Sequence, residues 1–282
     1  MVRASVVVPT NNRPEYLRVT LASLAAQDLE RADYEVLVVD DAPSASTRGV
    51  ADAFPGAPIR YLERRGAPGL NSARNTGIEA AAADLIVFCD DDVEAPAPWL
   101  RELVSGRARH PEALAFGGPI RLRLEGSRLP MCGREPPPLT TLDGGPDDRE
   151  IELVWGANMA IDRRALELAG MFDPGVPYGF DEDMWERRLR AAGGRIVYLA
   201  RAGLVHRRAA PDASLRALVK EAYRRGRALR RYVEHRGDAP GLGWELRVLA
   251  GCALHVFRYR CGNGILLTAH SLGRVRQLLA GT

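Results

Sequence analysis

The 282-residue chain contains no stretch of about 18 consecutive apolar residues, so nothing in it reads as a membrane-spanning helix. Its opening, MVRASVVVPT, reaches a proline before an apolar run long enough for a signal-peptide core, and the expected location is the cytoplasm. The four cysteines, Cys89, Cys132, Cys252 and Cys261, lie far apart and lack the paired spacing of a zinc site, which predicts free thiols. Lysine is almost missing: Lys220 stands alone among 39 cations, a coding bias toward arginine that carries no functional weight. The formal net charge is only +3, too balanced for a dedicated nucleic-acid binder. No internal repeat is visible. What is present, 46% hydrophobic and 27% charged residues, suits a globular chain with a sizeable core.

Short β-rich runs alternate with helical patterns through the first half, the mark of a parallel sheet with helices on its faces. Ser5 to Val8, Tyr34 to Val39, Ile59 to Leu62 and Leu85 to Cys89 are the predicted strands. A helix follows Pro14, with Leu17, Leu21 and Leu24 on one stripe, and another runs from about Ser72 to Ala83. From about Leu124 to Glu150 periodicity stops in a stretch crowded with Gly and Pro, a length that suits a lid, a binding loop or a mobile segment. Pattern returns at Glu152 to Ile161, with helices near Arg164 to Ala169 and Glu182 to Ala192 and a strand at Arg195 to Leu199. Beyond Pro211 the strands end. Leu215, Leu218, Ala222, Leu229 and Val233 mark a basic amphipathic helix; further stripes through Leu242 to Val256 and Leu272 to Leu279 predict a helical hairpin. These helices would close the domain, form a dimer contact, or dock on an anionic membrane surface.

The strongest chemical feature is Asp90-Asp91-Asp92 at the end of an apolar strand. Alternation sends Asp90 and Asp92 to one side, and the carboxyl ends of strands in open α/β sheets are where ligands bind. Such a pair suits magnesium or manganese, which fill their remaining positions with water and phosphate oxygens; a solvated acidic turn would show the same letters. Asp40-Asp41 ends the second predicted strand at the same edge, where a carboxylate can accept from a nucleobase or form a turn. Gly69 to Asn75 leads into a helix and offers backbone donors, Asn71, Arg74 and Asn75 to an anion. Asp181-Glu182-Asp183 opens another helix, where acids also suit the dipole.

VVVPTNNRPEYLRVTLASL, VVDDAPS, GLNSARNTGIEAA, FCDDDVEAPAPWL, WGANMAIDRRALELAGMFD and FDEDMWERRLRAAGGRIVYLARAGLVH occur in an order that resembles family 2 glycosyltransferases, over roughly residues 4 to 210. The resemblance implies a GT-A fold: a Rossmann-like, mixed but mostly parallel α/β sheet flanked by helices, here with a C-terminal helical appendage. It also implies transfer of a sugar, with inversion, from a nucleotide-diphosphate donor to an acceptor hydroxyl by a single in-line displacement. By that resemblance Pro9, Thr10, Asn12, Arg13, Asp40, Asp41, Asn71, Arg74, Asn75, Asp90 and Asp91 line the nucleotide-sugar pocket. Trp155, Gly156 and Asn158 lie near the donor sugar and acceptor, while Asp92, joined by His206, holds Mn2+ or Mg2+. The base is Asp183 if the Glu-Asp pair is matched directly, or Glu182 counting back from Arg188-Leu189-Arg190; Asp183 is the first choice. Arg207 and Arg208 are placed to meet phosphate, and His110, His235, His255 and His270 are left structural.

The expected organisation is a GT-A domain over residues 1–210, comprising a nucleotide-sugar half (1–123), a loop (124–150) and an acceptor half (151–210), then a helical region over 211–282. UDP is the first expectation for the donor, with GDP or dTDP open, and the acceptor is a glycan, a lipid or a small metabolite. No nucleic-acid partner is expected; a homodimer and peripheral contact at the inner face of a membrane stay open. Two other readings remain. Asp90-Asp91-Asp92-Val93 also resembles the nucleophile loop of haloacid-dehalogenase-like phosphatases, with Asp90 as nucleophile, although Lys220 has no strand leading into it. A catalytically silent nucleotide-sugar-binding protein would keep the fold without turnover.

Overall fold

A computed structural model describes residues 2–126, 129–130, 132–176 and 180–281, without the side chain of His235. The chain divides into two compact units, one of residues 1–121, 142–176 and 181–206, the other of 122–141, 177–180 and 207–282.

In the first unit β1 (Ala4–Thr10), β2 (Tyr34–Asp40), β3 (Ile59–Glu63) and β4 (Leu85–Phe88) run parallel, with α1 (Pro14–Ala25), α2 (Ala45–Asp52) and α3 (Leu70–Ala80) as crossovers. Short β5 (Val93–Glu94), α4 (Trp99–Arg109), β6 (Ala115–Gly117), β7 (Ile120–Leu124) and β8 (Arg149–Glu150) follow. A 3₁₀ turn at Gly156–Asn158 then leads to β9 (Met159–Asp162), α5 (Ala165–Ala169), α6 (Asp181–Ala191), β10 (Ile196–Tyr198) and β11 (Leu204–Arg208). Among the described residues the main sheet has the order β3-β2-β1-β4-β9-β6-β10-β8, with β9 antiparallel to both neighbours, and a smaller one has the order β5-β11-β7.

Strands β1 and β2 read as continuous apolar runs because both faces of the sheet are covered. Val6, Val8, Val36 and Val38 pack toward Leu17, Leu21, Leu24 and Trp99 on one side. Val7, Leu37, Val39 and Phe88 pack toward Ala73, Ile78, Trp185 and Leu189 on the other. Helix α3 lies close on the sheet at Gly77, where a Cβ would collide with the Val7 side chain. At the other end of the strands, buried Glu35 accepts from Ser5 Oγ (2.8 Å), Ala82 N–H (2.7 Å) and Arg60 (2.8 Å), joining β1, β2, β3 and the turn into β4. A carboxylate so satisfied locks register without leaving an orphaned charge.

The second unit carries α7 (Leu215–Arg236), α8 (Leu242–Tyr259) and α9 (Gly262–Ala280). The expected hairpin is formed by α8 and α9, and α9 packs on α7 as well. The reason lies in small residues that periodicity does not register, since a Cβ at Gly226 would strike the His270 backbone and one at Gly273 the Tyr223 backbone. Buried Glu245 on α8 then accepts from Arg274 of α9 (2.8 Å) and Arg230 of α7 (3.2 Å), so part of the basic face expected of α7 is turned inward. Among the described residues no helix is long and apolar enough to cross a membrane.

Candidate active site

The parallel strands bring their carboxyl ends to one edge. Thr10 and Asp40 are register partners at the ends of β1 and β2, and Asp90 to Asp92 follow β4 on the other flank of β1. Helix α1 grips the acidic turn from below. Thr20 Oγ1 donates to the Asp91 and Val93 carbonyls (2.8 Å each) and accepts from Val93 N–H; Ser23 and Gln27 hold residues 95 to 100 in the same way. Thr20 and Ser23 lie on α1 and Gln27 just beyond its end, at helical intervals, a polar stripe that the leucine-based reading passed over.

Asp91 points inward. Its carboxylate accepts from Thr10 Oγ1 (2.7 Å) and Arg13 Nη1 (2.7 Å), and burial, outweighing Arg13, pushes its pKa up to about 7. Asp92 takes the other guanidinium nitrogen of Arg13 at 2.8 Å. Pairing of β11 with β5 sets His206 opposite Val93, so that its Nε2 lies 3.1 Å from Asp92 Oδ1 and 3.7 Å from Asp90 Oδ2. Burial by itself would lower the histidine pKa, but the two carboxylates outweigh it and raise it to about 9. The ligand atoms of Asp90, Asp92 and His206 lie within 4.8 Å of one another, and buried His206 Nδ1 has no hydrogen-bond partner among the described residues. Two carboxylates and an imidazole gathered this closely suit a divalent cation, whose charge would take the place of the proton now shared among them.

The other residues singled out in the sequence fall into two groups. Asp41 accepts from Asn11 Nδ2 and Gly69 N–H (2.8 Å each) and pairs with Arg64, joining the loops after β1 and β2 to the start of α3; Asn12 next to it has φ 53°. Pro9 is buried within β1. Asp40 is fully buried and spent on its own turn, accepting from Ala42 N–H, Ser44 N–H and Tyr61 OH. Asn158 is likewise engaged within the fold, through Trp99 Nε1 and the Pro119 and Ala202 carbonyls, and Trp155 packs half-buried against the core. Asn71 and Asn75 hold the backbone of Asp173 and Phe172. Arg207 is paired with Glu125, and the side chain of His235 lies outside the described residues.

Arg74 links the two acidic centres. Fully buried on α3, it bonds Asp181 Oδ2 and Glu182 Oε1 (2.8 Å) at the start of α6, lies over the Phe172 ring, and is also stabilised in its charged form by Asp90. Glu182 Oε1 also accepts from Gly156 N–H (3.1 Å), and a Cβ at position 156 would run into both Arg74 and Glu182, which explains the glycine there. Burial, outweighing Arg74, raises the Glu182 pKa to about 7. Asp183 instead faces Arg187 one turn along the helix, at 2.8 Å. Fully buried Glu186, which the sequence reading missed, accepts from Val154 N–H, with its pKa pushed well up by burial. It lies one helical turn after Glu182, the spacing by which it was detectable.

The family model described as Glycosyl transferase family 2 matches residues 5–169, more than half of the chain. The chain belongs to glycosyltransferase family 2. It is 33% identical over 103 residues to the Glycosyltransferase AglE of Haloferax volcanii, covering 36% of this chain and 34% of that protein. It is 35% identical over 106 residues to the Validoxylamine A glucosyltransferase of Streptomyces hygroscopicus subsp. jinggangensis, covering 37% of this chain and 25% of that one. Alignments thus span about a third or less of these relatives' own lengths. Among solved structures, the mannosyltransferase PcManGT of Pyrobaculum calidifontis, in complex with GDP-Man and Mn2+, superposes with a TM-score of 0.60 at 21% identity, covering 99% of this chain and 76% of that one. The S. aureus TarS structure gives 0.58 at 18% identity, over 88% and 46%. The fold is GT-A.

Arg74→Met should leave two buried carboxylates without their counter-charge and destabilise the protein by about 3–5 kcal/mol. Arg187→Met, at a more exposed ion pair, should cost less than about 1 kcal/mol. Urea unfolding of the two variants measures both, and equal losses would contradict the placement of Arg74.

Proposed function

We propose that the protein is an inverting, divalent-metal-dependent glycosyltransferase that moves a sugar from a nucleotide-diphosphate donor to an acceptor hydroxyl. One arrangement carries this reading: Asp90, Asp92 and His206 gathered within 4.8 Å at the strand ends, and Arg74, which pairs with the acidic start of α6 and also feels the charge of Asp90. Asp90, Asp92 and His206 would hold Mn2+ or Mg2+, which when bound supplies positive charge to the departing diphosphate. Thr10, Arg13 and Asp91 fix the orientation of these ligands, and the loops after β1 and β2, which carry Asn11, Asn12 and Asp41, border the nucleoside. UDP is the first choice of nucleotide and GDP the second, the latter because the PcManGT structure holds GDP-Man with Mn2+.

Transfer needs the acceptor oxygen to lose a proton as it attacks the anomeric carbon. We assign that proton to Glu182 ahead of Asp183. Two observations support the choice: the count back from Arg188-Leu189-Arg190, and a carboxylate raised to about 7, close to working pH, where a general base is most effective. Its contacts with Arg74 and Gly156 both fall on Oε1, which orients the group. The sugar passes through an oxocarbenium-like state in one displacement, and no glycosyl-enzyme intermediate forms. The acceptor is a glycan, a lipid or a small metabolite.

A lipid surface is favoured as a neighbour by α8. Leu246, Leu254 and Phe257 lie exposed on one face, Phe257 at 80%, and Arg247, Arg258 and Arg260 are exposed around them. An apolar stripe with cations at its border is the pattern of a helix lying in an anionic interface, which would place the enzyme peripherally at the inner face of a membrane. Co-sedimentation with anionic vesicles should exceed that with neutral ones, fall with salt, and drop severalfold in Phe257→Asp; binding indifferent to lipid charge would refute it.

For the reaction itself, a thermal-shift panel of UDP, GDP and dTDP sugars with and without manganese should show stabilisation by one donor only when the metal is present. Asp92→Ala should lose both that shift and transfer. Glu182→Gln should keep the shift and lose transfer by about 10²–10⁴-fold. Because the base must be deprotonated, the wild-type rate should rise with pH through about 7. Undiminished transfer by Asp92→Ala would overturn the assignment.

A further inference from the structure

Three residues with no neighbours in sequence meet in the second unit. Cys132 Sγ lies 3.2 Å from Nε2 of His255 on α8, and the Cys132 N–H donates to Sγ of Cys261 at 3.2 Å. Cys261 is the residue just before α9, and its sulfur, the Cys132 sulfur and the histidine nitrogen all lie within 4.8 Å of one another. The residues around them fix this arrangement. Gly262 N–H donates to the Pro130 carbonyl (2.7 Å) and Asn263 Nδ2 to the Glu135 carbonyl (2.7 Å), so the segment carrying Cys132 is tied down on both sides against the first turn of α9. His255 meets the Tyr259 ring edge-on at 4.9 Å, and Arg134 covers the same ring.

We propose that Cys132, His255 and Cys261 form a second metal site, one for zinc, in which the ion clamps Cys132 to the facing ends of α8 and α9. Two sulfurs and an imidazole are the donor set that selects zinc over the oxygen-seeking Mg2+ and Mn2+ expected at Asp90 and Asp92. Zinc bonds of about 2.3 Å to sulfur and about 2.0 Å to nitrogen put neighbouring ligand atoms roughly 3.5–4 Å apart, so the present spacing needs only side-chain adjustment. A water completes the tetrahedron. The thiolates bind and their protons go to solvent, with no change of oxidation state. Cys261 also sits directly before the first turn of α9, a helix N-terminus that favours negative charge.

The inference does not depend on the donor or on turnover. Reduced full-length protein, stripped with a chelator, would be titrated with Co2+ and with Zn2+. A thiolate-to-cobalt charge-transfer band saturating at one equivalent is expected, displaced by zinc, together with a rise in melting temperature. The band should persist in Asp92→Asn, whose lost ligand is an oxygen, and weaken at least tenfold in affinity in Cys132→Ser, in Cys261→Ser and in His255→Ala. Absence of the band in reduced wild-type protein would overturn the proposal, a result that needs no variant to fold. So would a band that survives in the Cys132→Ser/Cys261→Ser double variant, or a Cys132–Cys261 disulfide that forms in equal yield with zinc present.

Discussion

The inward carboxylate of Asp91 is the constraint on which the rest of the site depends. Three adjacent acids at a strand end repel one another, and the turn persists because the middle one is withdrawn from the others and held by Thr10 and Arg13. With Asp91 held by Thr10 and Arg13, Asp90 and Asp92 turn toward His206. Thr20 and Ser23 of α1, with Gln27 just beyond its end, then fix the backbone of the turn so that this geometry is set before any ligand arrives. Arg13 completes the arrangement by bridging Asp91 and Asp92, which keeps the local charge low enough for three carboxylates to share one strand end.

Much of this was legible in the sequence, and the reasons are specific. Strands buried on both faces show as apolar runs, so β1, β2 and β4 were found within a residue or two, and with them the edge at which the acids collect. The family motifs supplied the pairing of distant segments that patterning cannot. Helices α2 and α4 went unread because one is short and polar and the other follows a proline-rich turn, where capping and tertiary packing rather than propensity decide. The role of Asp40 in its own turn, the spending of Asn158 inside the fold and the burial of Glu186 depend on which way a side chain points across a turn or helix, and a linear motif does not record that. The free thiols expected from the cysteine spacing are borne out; what the spacing could not show is that Cys132 and Cys261, 129 positions apart, meet beside His255 once the second unit has packed.

The two donor sets divide the chemistry by softness. Oxygen and one imidazole gather at the strand ends, a donor set that suits a hard cation; sulfur and one imidazole gather among the helices, a set that suits zinc as a cross-link. Arg74 plays the equivalent part for the acids of α6, supplying counter-charge to Asp181 and Glu182 and opposing the upward shift that burial gives Glu182.

The most direct test of the account is an anomalous-scattering experiment on crystals grown with Mn2+ and a nucleoside diphosphate. The account predicts one strong manganese peak within bonding distance of Asp92 and His206 and of two diphosphate oxygens, with the nucleoside running toward the loops after β1 and β2. A nucleotide bound elsewhere on the molecule, or a manganese peak that avoids both Asp92 and His206, would contradict it.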